Sequence, residues 1–64
     1  MNWINIKDRK PEENELVIIW ETTLYAKRWY EAYLENDRFV VDLERSIYVS
    51  IEEVSHWMIP TKPE

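Results

Sequence analysis

Tyr25-Ala-Lys-Arg-Trp-Tyr-Glu-Ala-Tyr-Leu-Glu-Asn-Asp-Arg-Phe-Val-Val41 admits two foldings, and the choice between them sets the class of the chain. At a helical period, Tyr25, Trp29, Ala32 and Tyr33 form one stripe. At period two, Trp29, Glu31 and Tyr33 separate from Arg28, Tyr30 and Ala32, as on the two faces of a strand. The density of Trp and Tyr favours the strand. So does the passage Glu35-Asn36-Asp37-Arg38 into Phe39-Val40-Val41, which reads as two strands joined at an Asn-Asp turn. A hairpin is therefore the expected form, with a helix over 22–35 as the alternative.

Upstream, Leu16-Val-Ile-Ile-Trp20 is an unbroken apolar run, rich in β-branched residues and too short for a typical helix. It is expected to be the central strand, covered on both faces. Met1 to Ile6 reads as a short edge strand or extended docking segment, and Lys7 to Asn14 as a loop biased away from helix by Pro11. Ser46 to Val49 predicts another strand, with Ile47 and Val49 on one side and Tyr48 on the other. Ser50-Ile-Glu-Glu53 has the form of a capping box for one helical turn. Ser55 to Ile59 predicts the last strand, ended by Pro60 and Pro63. The expected class is mainly β: a single domain over 1–64, built as an antiparallel sheet or open barrel of four to five strands with one short helical turn.

Sixty-four residues bury a modest share of their surface, and with no cysteine there is no disulfide to compensate. Nine aromatic rings are the remaining source of core. Trp3 near the start is expected to pack on Trp57 near the end. Glycine is absent, so positive-φ turns fall to Asn2, Asn5, Asn14, Asn36 and the aspartates. The same absence removes the glycine-rich loops that cradle nucleotide phosphates. A net charge of −5 opposes attraction to nucleic acid. No run approaches the roughly 20 apolar residues of a membrane span, and the N-terminus lacks a signal-peptide pattern, so a cytoplasmic protein without a membrane role is expected.

Few residues suggest chemistry. His56 is the sole candidate base near neutral pH, but a small ring-packed sheet offers it little cleft; its expected role is to hydrogen-bond the Asp8-Arg9 loop and pin the termini. Asp8 is expected to cap the Lys7–Pro11 turn, and Arg9 to stack on Trp57 or Trp3. With one histidine and no thiol, neither a metal site nor a cofactor is expected. The acidic residues, from Glu12, Glu13 and Glu15 to Glu52 and Glu53, are scattered; a solvated surface is the simple reading, and rows mimicking a phosphate backbone the other. Nine rings exceed what one small core hides, so Trp29, Tyr30 and Tyr33, with Glu31 and Glu35 at their rim, form the candidate protein interface.

Trp3-Ile-Asn-Ile-Lys-Asp-Arg-Lys-Pro11 and Val54-Ser-His-Trp-Met-Ile-Pro60 together resemble DUF551, whose pattern runs roughly W-x-x-V-x-D-R-x-P at the start and H-W-M-P-x-P at the end. Ile59 stands where that pattern has its first proline after His-Trp-Met. The resemblance implies a small phage- or prophage-associated protein and names no activity. Two functions then compete, neither enzymatic. One is an interaction module that binds a host or phage protein, or a second copy of itself, through the aromatic patch, as an inhibitor of a host system would. The other is a small-ligand domain with Trp3, Asp8, Arg9, His56 and Trp57 lining a pocket where the two end motifs meet.

Overall fold

The computed structural model describes residues 2–22 and 27–60. They form one six-stranded antiparallel sheet: β1 (Ile4–Asn5), β2 (Leu16–Thr22), β3 (Lys27–Glu35), β4 (Arg38–Asp42), β5 (Ile47–Ser50) and β6 (Val54–Met58), in the spatial order β1-β6-β2-β3-β4-β5. A 3-10 turn over Ile51–Glu53 lies between β5 and β6, and no α-helix occurs among the described residues. Where sequence suggests four or five strands there are six, because the first segment, readable as either an edge strand or a docking segment, pairs with β6 as a strand.

The helix alternative fails over the described part of its range, since β3 pairs with β2 from Lys27 to Tyr33 and with β4 from Tyr33 to Glu35. Residues 23–26, and with them Tyr25 as a core ring, lie outside the described residues, as does Pro63 as a strand terminator. The β3–β4 turn is Asn36-Asp37, at φ 51° and 63°. Two successive positive φ values are what a two-residue hairpin needs to match the twist of its strands. Asn14 (φ 64°) is left-handed as expected, while Asn5 is not; the φ of Asn2 depends on Met1, outside the described residues. Ser46 (φ 55°) takes that conformation instead, closing the turn through its amide on the Leu43 carbonyl at 3.2 Å. β5 accordingly starts one residue later than the sequence suggests.

Pairing fixes which residues share a face. Val17 lies opposite Ala32, Ile19 opposite both Tyr30 and Trp57, Leu34 opposite Phe39, Phe39 opposite Val49, and Ile4 opposite Trp57. These inner-face residues, with Val54, form the core; Val17, Ile19 and Phe39 are completely enclosed. The enclosure comes from curvature. Four strand spacings separate β5 from β6, about 19 Å in a flat sheet. Ser50 and Val54 are only four residues apart, a reach of at most about 14 Å. The sheet must therefore coil into an open barrel, so that one run of chain interrupted by the 3-10 turn pairs with β4 on one side and β2 on the other.

Ser50 caps that turn, its hydroxyl accepting the Glu52 amide at 3.4 Å. The long loop after β1 is tied down at both ends. The Asn5 carbonyl accepts the amides of Asp8 (3.0 Å) and Arg9 (3.2 Å), and its side-chain oxygen accepts that of Lys7 (2.9 Å). The bonding expected of Asp8 is thus supplied by Asn5, which stands at the start of the turn where an Asx side chain can reach forward two residues. At the far end, the Asn14 amide donates to the Leu34 carbonyl at 2.9 Å, and the Glu13 carboxylate accepts the Asn36 amide at 3.2 Å.

Candidate functional site

Trp3, Leu16 and Trp29, three of the large apolar side chains left exposed among the described residues, lie on the outer face of the sheet. Alternation along β2 sends Leu16, Ile18 and Trp20 outward, and the register places Tyr33, Glu31 and Trp29 opposite them on β3 and Met58 and His56 on β6. Trp3 precedes β1 and turns to this face, meeting Trp20 edge to face with ring centroids 6.3 Å apart and planes at 70°. Geometries of this kind suit the quadrupoles of two aromatic rings. Trp3 reaches across β6 to do so, because β6 lies between β1 and β2.

Trp3 thereby divides the surface into two adjoining depressions. One, of about 310 Å³, is lined by Trp3, Trp20 and His56. The other, of about 280 Å³, is lined by Trp3, Ile18, Trp29 and Met58. Met58 forms a buried floor, whereas Trp29 is 61% and Trp3 42% exposed. Two indoles this exposed, side by side, leave a contiguous apolar surface facing water.

The five residues expected at a protein interface do not all share this face. Trp29, Glu31, Tyr33 and Glu35 alternate outward along β3, but Tyr30 lies opposite Ile19 and packs half-buried against the core. Glu35 pairs across the strands with Arg38, whose guanidinium sits 4.0 Å from the centre of the Tyr48 ring. Trp20, Ile18 and Met58 join the patch without having been singled out from sequence. The signal was present in the alternation of Leu16-Val-Ile-Ile-Trp20, where an outward Trp20 follows from an inward Val17 and Ile19.

The five residues expected around a ligand pocket divide between the two sides of β6. Trp57 faces inward and is 1% exposed; its indole Nε1 donates to the Arg9 carbonyl at 2.7 Å, and the Arg9 guanidinium lies 5.3 Å from its ring centre. The expected stacking of Arg9 is realised on Trp57. Trp3 and His56 face the other way, so Trp3 packs on Trp20 rather than on Trp57. Neighbouring positions on a strand point to opposite faces, and Ile4, not Trp3, holds the position opposite Trp57. Trp57 also takes over the pinning role expected of His56, whose Nδ1 stands 3.0 Å from the Ser55 hydroxyl. Asp8 is exposed on the loop. Arg9 and Trp57 border a separate cleft of about 340 Å³ with Lys10, Glu12, Glu15 and Ile59, where both signs of charge are mixed.

Among the described residues no group of three or more His, Cys, Asp or Glu side chains is placed to hold a metal ion, and no helix is long and apolar enough to cross a membrane. No curated protein and no solved structure matches the chain. A family model does: Protein of unknown function (DUF551) matches residues 2–64, with the paired tryptophan motifs at its two ends, and the chain belongs to that family.

Proposed function

We propose that this is a non-enzymatic interaction module that binds a protein through the outer face of its sheet, with Trp29 and Trp3 as anchors. The observation that carries the reading is the 61% exposure of Trp29 beside an apolar depression floored by Met58 and Ile18. Binding hot spots are enriched in Trp and Tyr seated centrally in such patches, where a partner can exclude water from them. Glu31 and Glu35 supply a polar rim on the same strand. A phage- or prophage-encoded protein acting in the cytoplasm on a host or phage component fits this design, since one small rigid face suffices to occlude a larger partner. The separation of Trp3 and His56 from Arg9 and Trp57 favours this reading over a ligand pocket between the end motifs.

The test is affinity capture from the native cell with the intact protein and two variants. Trp29→Ser removes the anchor, while Leu43→Ser alters an equally exposed apolar residue (63%) in the β4–β5 turn. Both should fold with stability within about 0.5 kcal/mol of the parent, as exposed substitutions do. A captured protein that is lost with Trp29→Ser and kept with Leu43→Ser is the expected result. Equal capture by both variants refutes the assignment of the face.

A further inference from the structure

Among the described residues the protein seats its own arginines on aromatic rings at two places: Arg9 on Trp57, 5.3 Å from the ring centre, and Arg38 on Tyr48, 4.0 Å from it. Trp3, Trp20 and Trp29 have no such cation among the described residues. Trp3 and Trp20 meet at 70°, giving the 310 Å³ depression walls set nearly at right angles, with His56 as the third side. The described charged side chains on this face are Glu31, Glu35 and Arg38. Arg38 is engaged with Tyr48 and lies opposite Glu35, which leaves Glu31 as the uncommitted charge, two residues along β3 from Trp29 and opposite Ile18. Of the two salt bridges among the described residues, Lys10–Asp37 and Arg45–Asp42, neither involves it.

From this arrangement we infer that the occupant of the outer face is a protein segment presenting an arginine side chain between apolar residues, its guanidinium lying in the depression between the indoles of Trp3 and Trp29, where Glu31, opposite Ile18, answers its charge, and a flanking residue filling the adjoining depression of Trp3 and Trp20. The inference rests on the protein-binding reading above and specifies the partner's chemistry. Tryptophan is the strongest aromatic acceptor for a cation, and arginine the cation most often found there. A guanidinium is planar and weakly hydrated, so it can slide over an indole in an apolar depression where a strongly hydrated ammonium would resist desolvation. The net charge of −5 steers a basic partner towards the protein and opposes the approach of a second copy of the same charge.

The experiment uses the full chain labelled with nitrogen-15, following the indole N–H resonances of its tryptophans while the peptide acetyl-Ala-Leu-Arg-Leu-Ala-amide is added. A parallel titration uses the same peptide with citrulline, which keeps the shape and removes the charge. Peptide at about 5 mM loads a site of millimolar Kd. The Trp3, Trp20 and Trp29 signals should move while that of Trp57, whose N–H is held by the Arg9 carbonyl, stays in place. The citrulline peptide should bind about 2- to 30-fold more weakly, the span of one cation–π contact from exposed to desolvated. Glu31→Gln should weaken the arginine peptide and leave the citrulline peptide unchanged. Equal affinity of the two peptides on these indoles sinks the arginine assignment and leaves the protein-binding face standing. Self-association in sedimentation, with the indoles indifferent to either peptide, overturns it in favour of a second copy. Indifferent indoles on a monomer overturn it as well, and capture by the Trp29→Ser variant then decides separately whether the face binds a protein at all.

Discussion

Replacing Trp57 by phenylalanine tests the junction that holds the ends of the chain together. The indole lies opposite Ile19 on β2 and Ile4 on β1, is 1% exposed, and donates to the Arg9 carbonyl at 2.7 Å. Phenylalanine keeps most of the apolar contact but leaves that part-buried carbonyl without its donor, a loss of about 1–2 kcal/mol. The volume removed adds roughly 1 kcal/mol. The total of about 2–3 kcal/mol is set against about 3–10 kcal/mol for a domain of this length. It should lower Tm by about 10–20 °C. Trp57→Ala, at about 3–5 kcal/mol, should unfold much of the population. Trp3→Ala is the control: its ring is 42% exposed and packed chiefly on Trp20, so it should cost only about 1–2 kcal/mol. Thermal and urea denaturation followed by far-ultraviolet circular dichroism give these values. A Trp57→Phe protein that melts within about 2 °C of the parent would refute the account of the pinned termini, and so would Trp3→Ala costing more than Trp57→Ala.

Two further substitutions address the backbone. Asp37 sits at φ 63° in the β3–β4 turn, with only an exposed pairing to Lys10 at 3.7 Å, so Asp37→Gly should stabilise by about 0.5 kcal/mol and raise Tm by about 2–4 °C; a fall in Tm would show that the aspartate does more than occupy the turn. Ser50→Ala removes the cap on the Ile51–Glu53 turn, whose bond to the Glu52 amide is long at 3.4 Å and exposed, so the expected loss is the small end of the capping range, about 0.5 kcal/mol in urea denaturation, and a loss above about 2 kcal/mol would contradict that ranking.

What the sequence conveys and what it withholds divide along physical lines. The Asn-Asp turn, the left-handed Asn14 and the single turn capped by Ser50 are local, fixed by neighbours within four residues, and each is readable from residue type; the uniformly apolar run Leu16–Trp20 instead suggests cover on both faces, whereas its outer face is left open, with Leu16 52% exposed. The partner of Trp3 is not local. Alternation shows that Trp3 and Ile4 point apart, but only the register of β1 on β6 decides which of them meets Trp57. That register depends on the whole run of chain between β1 and β6 closing the sheet. The same holds for Arg9, whose carbonyl satisfies an indole 48 residues away. Tyr30 differs from its neighbours for a simpler reason: aromatic content marks Trp29, Tyr30 and Tyr33 alike, and only period two separates the ring that faces the core from the pair on the outer face.

The spatial order places β6 in a slot between β1 and β2, although it is the last of the described strands in sequence. A meander of β2 through β5 can assemble from neighbours in sequence, but the inner edge of β2 stays open until Val54–Met58 arrives. Closure therefore waits on contacts between distant parts of the chain, which places folding towards the slow, millisecond-to-second end for small domains. In that interval β2, with Val17 and Ile19 uncovered, is a bare apolar edge able to accept a strand from another molecule. Crowded synthesis would expose this protein to exchanged β6 strands and aggregation, and a separate peptide carrying Val54–Met58, supplied during refolding, would compete for the slot before the chain could fill it.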